Sequence, residues 1–306
     1  MSPFWDRLKP PQRRVPERTL AVLRRGVDRV DPRLVHACRY PDPYVPAVSQ
    51  ALAYVETLVA AIPGLLQINR EAFLHQPLVR ALFAAPDEIA SALCRSPEAR
   101  DYAEAHGGHC HAMCALLTAE HTVRNDFGPG EVEGFLVRDL PRQIWNFDHY
   151  ALLCPGESES AVRAALVIRL MDGLFDAVAE RMAQRRVANQ LAASVKGAIT
   201  KGAITKGAIK PADTPCAADL CGQIEDFNAV LCAPEAYLSL HTQVVSMDAL
   251  GTIAGSATAS DADRLSLLEL RQHGKPPRVV ALVQCHGDGQ PPSLTRGLQE
   301  IRHWMG

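Results

Sequence analysis

The chain has 306 residues, 47% hydrophobic and 22% charged, enough for one large or two ordinary domains with a sizeable core. Lys and Arg number 32 against 34 Asp and Glu, a formal net charge of −2, which excludes a global field drawing nucleic acid or an anionic membrane. Nine cysteines, an odd number, are scattered through a chain whose first residues, MSPFWDRLKPPQRR, carry no apolar signal core. They read as reduced thiols in a cytoplasmic protein rather than a disulfide framework.

Residues 1–43 form a basic N-terminal arm, with ten Lys and Arg against four Asp and Glu from Met1 to Tyr40. Leu20, Leu23, Val27 and Val30 recur at helical spacing in ERTLAVLRRGVDRV, so an amphipathic helix is expected there. Its charge suggests an acidic partner or nucleic acid, but no aromatic is interleaved to stack bases, and a solvated helix face is the simpler reading.

Residues 44–105 read as a helical region. The apolar run from Ala47 to Leu66 is interrupted by Gln50, Glu56 and Pro63, which marks a buried helix rather than a membrane span. Pro63-Gly64 ends it. Pro86-Asp87 and Ser96-Pro97-Glu98 look like helix starts, with proline and acid in the first turn, and Leu78, Leu82 and Phe83 give the stretch before Pro86 an apolar face.

Residues 106–157 change to a β-rich texture: ALLTAEHTV, NDFGPGE, VEGFLVRDL and PRQIWNFDHYALLCPG read as strand, turn, strand, strand. Asn125-Asp126 with Gly128-Pro129-Gly130 is expected to be a hairpin loop. The tripeptide Asp126-Phe127-Gly128 has no companion kinase motif and carries no weight.

Residues 158–234 are expected to form a helical hairpin. Val162, Leu166, Leu170, Leu174, Val178 and Met182 recur every four residues, and Val187, Leu191 and Val195 resume the spacing, giving a helix of about 35 residues, on the order of 50 Å. Leu220, Ile224, Phe227 and Leu231 stripe a second, shorter helix. Between them KGAIT-KGAIT-KGAIK, residues 196–210, repeats a five-residue unit that fits neither helical nor strand period, and is read as a flexible loop.

Residues 235–306 are read as antiparallel strands and a C-terminal helix. YLSLHTQVV places Leu238, Leu240, Thr242 and Val244 on one face. RLSLLEL and RVVALVQC flank a hairpin at His273-Gly274-Lys275-Pro276-Pro277, and Ser293 would cap the closing helix. The fold class is therefore α+β: an N-terminal helical region, an antiparallel sheet, and a long helical hairpin inserted before the C-terminal strands.

Three stretches could carry chemistry. HGGHCHAMC, residues 106–114, could hold zinc through His109, Cys110, His111 and Cys114. Read as a turn into a strand, it puts Cys110, Ala112, Cys114 and Leu116 on one apolar face, and that structural reading is preferred. Asp148 and His149 of WNFDHY resemble a carboxylate-oriented base, yet neighbours on a strand point to opposite faces. CHGDG, Cys285 to Gly289, ends a strand among turn residues. No phosphate loop, dinucleotide fingerprint, zincin helix, calcium loop or nucleophile elbow is present. The function expected is a non-catalytic protein without a resident cofactor, which meets a protein partner or a second copy through the 158–234 hairpin. A metal-dependent protein using HGGHCHAMC and nucleic-acid binding through the basic arm are the alternatives.

Overall fold

A computed structural model describes residues 15–36, 39–106, 112–132, 135–200, 217–247, 253–255 and 264–286. The fold is α+β, and the chain divides into two units, each built from two stretches of sequence. The first comprises residues 1–56 and 168–237, the second residues 57–167 and 238–306.

The first unit is helical. Helix α1 (Glu17–Val30) lies where the apolar spacing puts it and buries Val22, Leu23 and Val27. Helix α2 (Val45–Ala61) ends before Pro63, and α7 (Glu159–Thr200) and α8 (Ala217–Leu231) form the expected hairpin; α2 and α7 contribute to both units. The hairpin is antiparallel: Arg181 meets Asp226 at 3.0 Å, while Arg185, one turn further on, reaches back to the Gly222 carbonyl. Phe227 is fully buried between the Tyr44 ring at 5.1 Å and the Phe175 ring at 6.0 Å.

Glycine is required at position 26, because a Cβ there would clash with the edge of the Phe175 ring. Four arginines of the basic arm meet carboxylates within this unit. Arg18 pairs with Glu56, Arg25 with Asp172, Arg29 with Asp176, and Arg33 with Asp31. Asp31 is buried and also accepts from Arg186 at 2.8 Å.

The hairpin stripe holds only in part. Val162, Leu166, Leu170, Leu174, Val178 and Met182 are all buried, but Val187 and Leu191 are 55% and 61% exposed. The first KGAIT copy, Lys196 to Thr200, is helical rather than loop; Ala and Lys favour helix, and one glycine costs only about 1 kcal/mol. Residues 201–210 lie outside the described residues.

The second unit is a sheet with helices on it. Its strands are β1 (Leu66–Ile68), β2 (Ala112–Val132), β3 (Phe135–Gly156), β4 (Leu238–Met247), β5 (Ile253–Gly255), β6 (Arg264–Gln272) and β7 (Arg278–His286). The pairings β7–β2–β3–β5–β4–β6 return to β7, so six antiparallel strands form a closed ring. β1 adds the single parallel pairing among the described residues, against Val283 to Cys285.

Short helices α3 (Arg70–His75), α4 (Pro77–Leu82), α5 (Pro86–Arg95) and α6 (Pro97–Ala105) pack on one face through Ala72, Leu82, Ile89 and Ala99 against Ala115, Leu117, Leu152 and Val283. Proline opens α4, α5 and α6, where its missing N–H costs nothing. Every β2 side chain from Met113 to Ala119 is buried, as its nearly unbroken apolar run implies for a strand covered on both faces.

Two expectations fail here. Asn125 to Gly130 is not a loop: β2 runs through it, paired to β3 from Asn125↔Gln143 to Gly130↔Val137. Pro129 is tolerated because a ladder irregularity between Gly128 and Gly130 falls on it. The chain reverses instead between Val132 and Phe135, which pair with each other. In β4, of the face shared by Leu238, Leu240, Thr242 and Val244, Leu238 is buried while Val244 is 49% exposed, and at that end Val245 and Met247 pack on the core.

Beyond Glu120, β2 has only β3 as a neighbour among the described residues. Its ladder with β7 ends at Glu120↔Arg278, and the next β7-side residues are Pro277 and Pro276, which have no N–H to donate. Thus β2 becomes an edge beside β3, which keeps β5 at Ile144 and Trp145, and from Asn125 to the turn β2 and β3 run on as a ribbon, with Phe127 67% and Phe135 75% exposed.

Two tests follow from the helical unit. Gly26→Ala should lower the urea-unfolding free energy by about 1–3 kcal/mol, since Phe175 is fully buried and the displaced ring has nowhere to go. The Asp31 carboxyl is held below the usual range, first by its hydrogen bond from Arg33, with burial opposing. Its contribution is therefore present above the ordinary aspartate pKa of about 4 and lost as pH falls below it. In urea midpoints measured from neutral to strongly acidic pH, Asp31→Asn should be less stable than the wild type at neutrality and lose less on acidification.

Candidate functional site

In HGGHCHAMC, His106 closes α6, its Nδ1 2.7 Å from the Tyr102 carbonyl and its ring 4.1 Å from Tyr102. Cys114 is buried in β2, and burial pushes its thiol pKa up, away from the thiolate that binds metal. His109, Cys110 and His111 lie outside the described residues. Cys114 belongs to no group of three potential ligands among the described residues.

WNFDHY proves to be the seat of a β-bulge. Thr118 pairs with Ala151 but Glu120 pairs with Asp148, so β3 carries one residue more than β2 across this interval. His149 takes up the difference with φ of 48°. The bulge cancels strand alternation, and the side-chain ligand atoms of Glu120, Asp148 and His149 come within 4.8 Å of one another.

Two carboxylates and an imidazole could in principle bind a divalent cation. Here the Arg278 guanidinium already holds Glu120, and Asp148 and His149 are 54% and 71% exposed. A fixed positive charge on one ligand and water around the other two leave no protected cation site. His149 Nε2 is 4.0 Å from Asp148 Oδ2, beyond hydrogen-bond range, so the carboxylate does not orient the ring as a base.

Tyr150, just past the bulge, is fixed differently. Its hydroxyl donates to the Leu82 carbonyl at 2.6 Å, its ring stacks on Phe83 at 5.1 Å, and burial pushes the phenol pKa up. The α5–α6 junction also holds β3: Ser96 Oγ accepts from the Leu152 amide at 2.8 Å, and Glu98 accepts from the Cys154 amide at 2.8 Å. In CHGDG, Cys285 and His286 end β7, and Gly287 onward lies outside the described residues.

Sequence reasoning missed a polar group on the other sheet face. The His121 ring stacks on Trp145, with centroids 4.7 Å apart and planes 11° apart, and its Nε2 is 3.6 Å from Glu269. Glu269 is 2% exposed and also bound by Arg271. His121 Nδ1 and Trp145 Nε1 are buried without a hydrogen-bond partner among the described residues. The available signal was Glu269 itself, an acid falling on the period-two core face of Leu265 and Leu267 in RLSLLEL.

Of the basic arm, Arg18, Arg25, Arg29 and Arg33 are engaged by carboxylates, and residues 1–14 lie outside the described residues. No described helix is long and apolar enough to cross a membrane. What remains conspicuous is exposed apolar surface, at Val187 and Leu191 on α7 and at Val123, Phe127 and Phe135 on the ribbon. No protein-family description, curated protein or solved structure matches the chain.

Tyr150→Phe tests how far the bulge depends on its neighbour. Loss of the Leu82 hydrogen bond should cost about 1 kcal/mol in chemical denaturation, with the fold retained in far-UV circular dichroism.

Proposed function

We propose that the protein is a non-catalytic interaction module whose 158–234 helical hairpin binds a protein partner or a second copy of the chain. The observation that carries this reading is the exposure of Val187 and Leu191, one helical turn apart on α7. They continue the spacing of the buried stripe that ends at Met182, so the helix presents an apolar strip beyond its own core. Fully covering a Val or Leu side chain contributes about 1.5–3 kcal/mol, enough for two such residues to anchor a helix-on-helix contact.

The test places a photo-crosslinking amino acid at Leu191, with a control at Ala21, which is exposed on α1. In the producing cell, position 191 should give a discrete adduct that position 21 does not give, and Val187→Glu should abolish it. Peptides in the adduct then distinguish a second copy from another protein. Labelling at 191 no stronger or more discrete than at 21 would end this reading.

A further inference from the structure

We infer that β2 carries a second, separate contact: its edge from Thr122 to Gly128 pairs antiparallel with the same edge of a second copy, about Asn125. This goes beyond the hairpin reading and uses none of its residues.

The edge is open among the described residues because β7 stops at Arg278. Extending the β2–β7 register would set Pro277 against His121 and Pro276 against Thr122, and neither proline can donate to the ladder. The edge is also regular. From Glu120 to Gly128 each β2 residue has a single β3 partner, and the irregularities lie outside that interval. An open, regular edge is a template for another strand.

The side chains select which strand. Val123 and Phe127, 43% and 67% exposed, lie on one face of the ribbon, with Arg124 and Asp126 on the other. A two-fold axis perpendicular to the ribbon keeps every side chain on its own face, so the centre of a self-pairing must fall on a residue. Centred on Arg124 or Asp126, it would oppose like charges. Centred on Asn125, it sets Val123 against Phe127 of the second copy and Arg124 against Asp126 of the second copy, each twice by symmetry.

Within one chain, Arg124 and Asp126 are 3.9 Å apart and their side chains 71% and 37% exposed, so both can meet an incoming strand. Aromatic–β-branched and opposite-charge neighbours are the cross-strand pairs that stabilise antiparallel ladders. The partner this edge fits is therefore another copy of the edge itself.

Sedimentation equilibrium on the full chain tests the pairing and its centre. The wild type should form a dimer that Phe127→Lys dissociates. Arg124→Asp and Asp126→Arg should each weaken self-association about tenfold or more, because each then opposes like charges twice. An equimolar mixture of these two variants should regain the wild-type dimer, since each copy now meets its complement. An Asn125→Cys chain should oxidise to a dimer whose disulfide maps to position 125 on both copies, a readout independent of how well the charge variants fold. A monomer at about 100 µM wild type, a dimer indifferent to both charge reversals, or no linkage at position 125 overturns the proposal. The Leu191 adduct is unaffected in every case, so failure here and failure of the hairpin reading are separately visible.

Discussion

Two prolines decide where the sheet stops being a sheet. Up to Glu120, β2 is paired on both edges and buried on both faces, and its side chains are correspondingly small or apolar. Pro276 and Pro277 remove the donors that would carry β7 further, and Arg278, the first residue able to pair, spends its guanidinium on Glu120 at that point. Past it the same strand changes character: Val123 and Phe127 are exposed, and among the described residues it holds only β3. The open edge of β2 follows from that termination, and the ribbon begins where β3 also leaves β5, past Ile144.

The bulge at His149 sits against the same boundary. It adds a residue to β3 just where β7 gives out, which lets the inner part of β3 keep Leu152 in the core while the outer part continues as ribbon. Tyr150 and Ser96 pin the inner part to the α4–α6 layer. The gathering of Glu120, Asp148 and His149 is explained as a by-product of this geometry. An ion pair capped by water-facing groups terminates a ladder; it gives neither a dry pocket nor an oriented base.

Much of the architecture was legible because it depends on local signals. Prolines at 86 and 97 open helices, period-four apolar residues trace α7 to Met182, and Gly274 with φ of 70° makes the β6–β7 turn that His273 to Pro277 advertises. The failures share a cause. NDFGPGE has turn composition, but a ladder of 21 residues against 22 overrides local preference and absorbs Pro129 at an irregularity. The core side of β4 was not legible because Val244 and Val245 are both apolar, and only the register with β6 chooses between them. The His121–Trp145–Glu269 group joins residues far apart in sequence, and no spacing rule reaches that distance.

The exposed surfaces of the two units differ in what could cover them. On α7 the strip is a continuation of a core pattern, so any apolar helix face of matching spacing would satisfy it, and the chain alone does not choose the occupant. The ribbon edge is more discriminating. Charged residues on an edge usually protect it, because an arbitrary incoming strand would strand them against apolar or like-charged neighbours. Arg124 and Asp126 protect against almost every partner in this way. The exception is a strand that offers aspartate where this one offers arginine, in the opposite direction and at the same spacing. With one residue between them, an antiparallel copy of the edge meets that condition about Asn125, so the charges that exclude other strands admit this one.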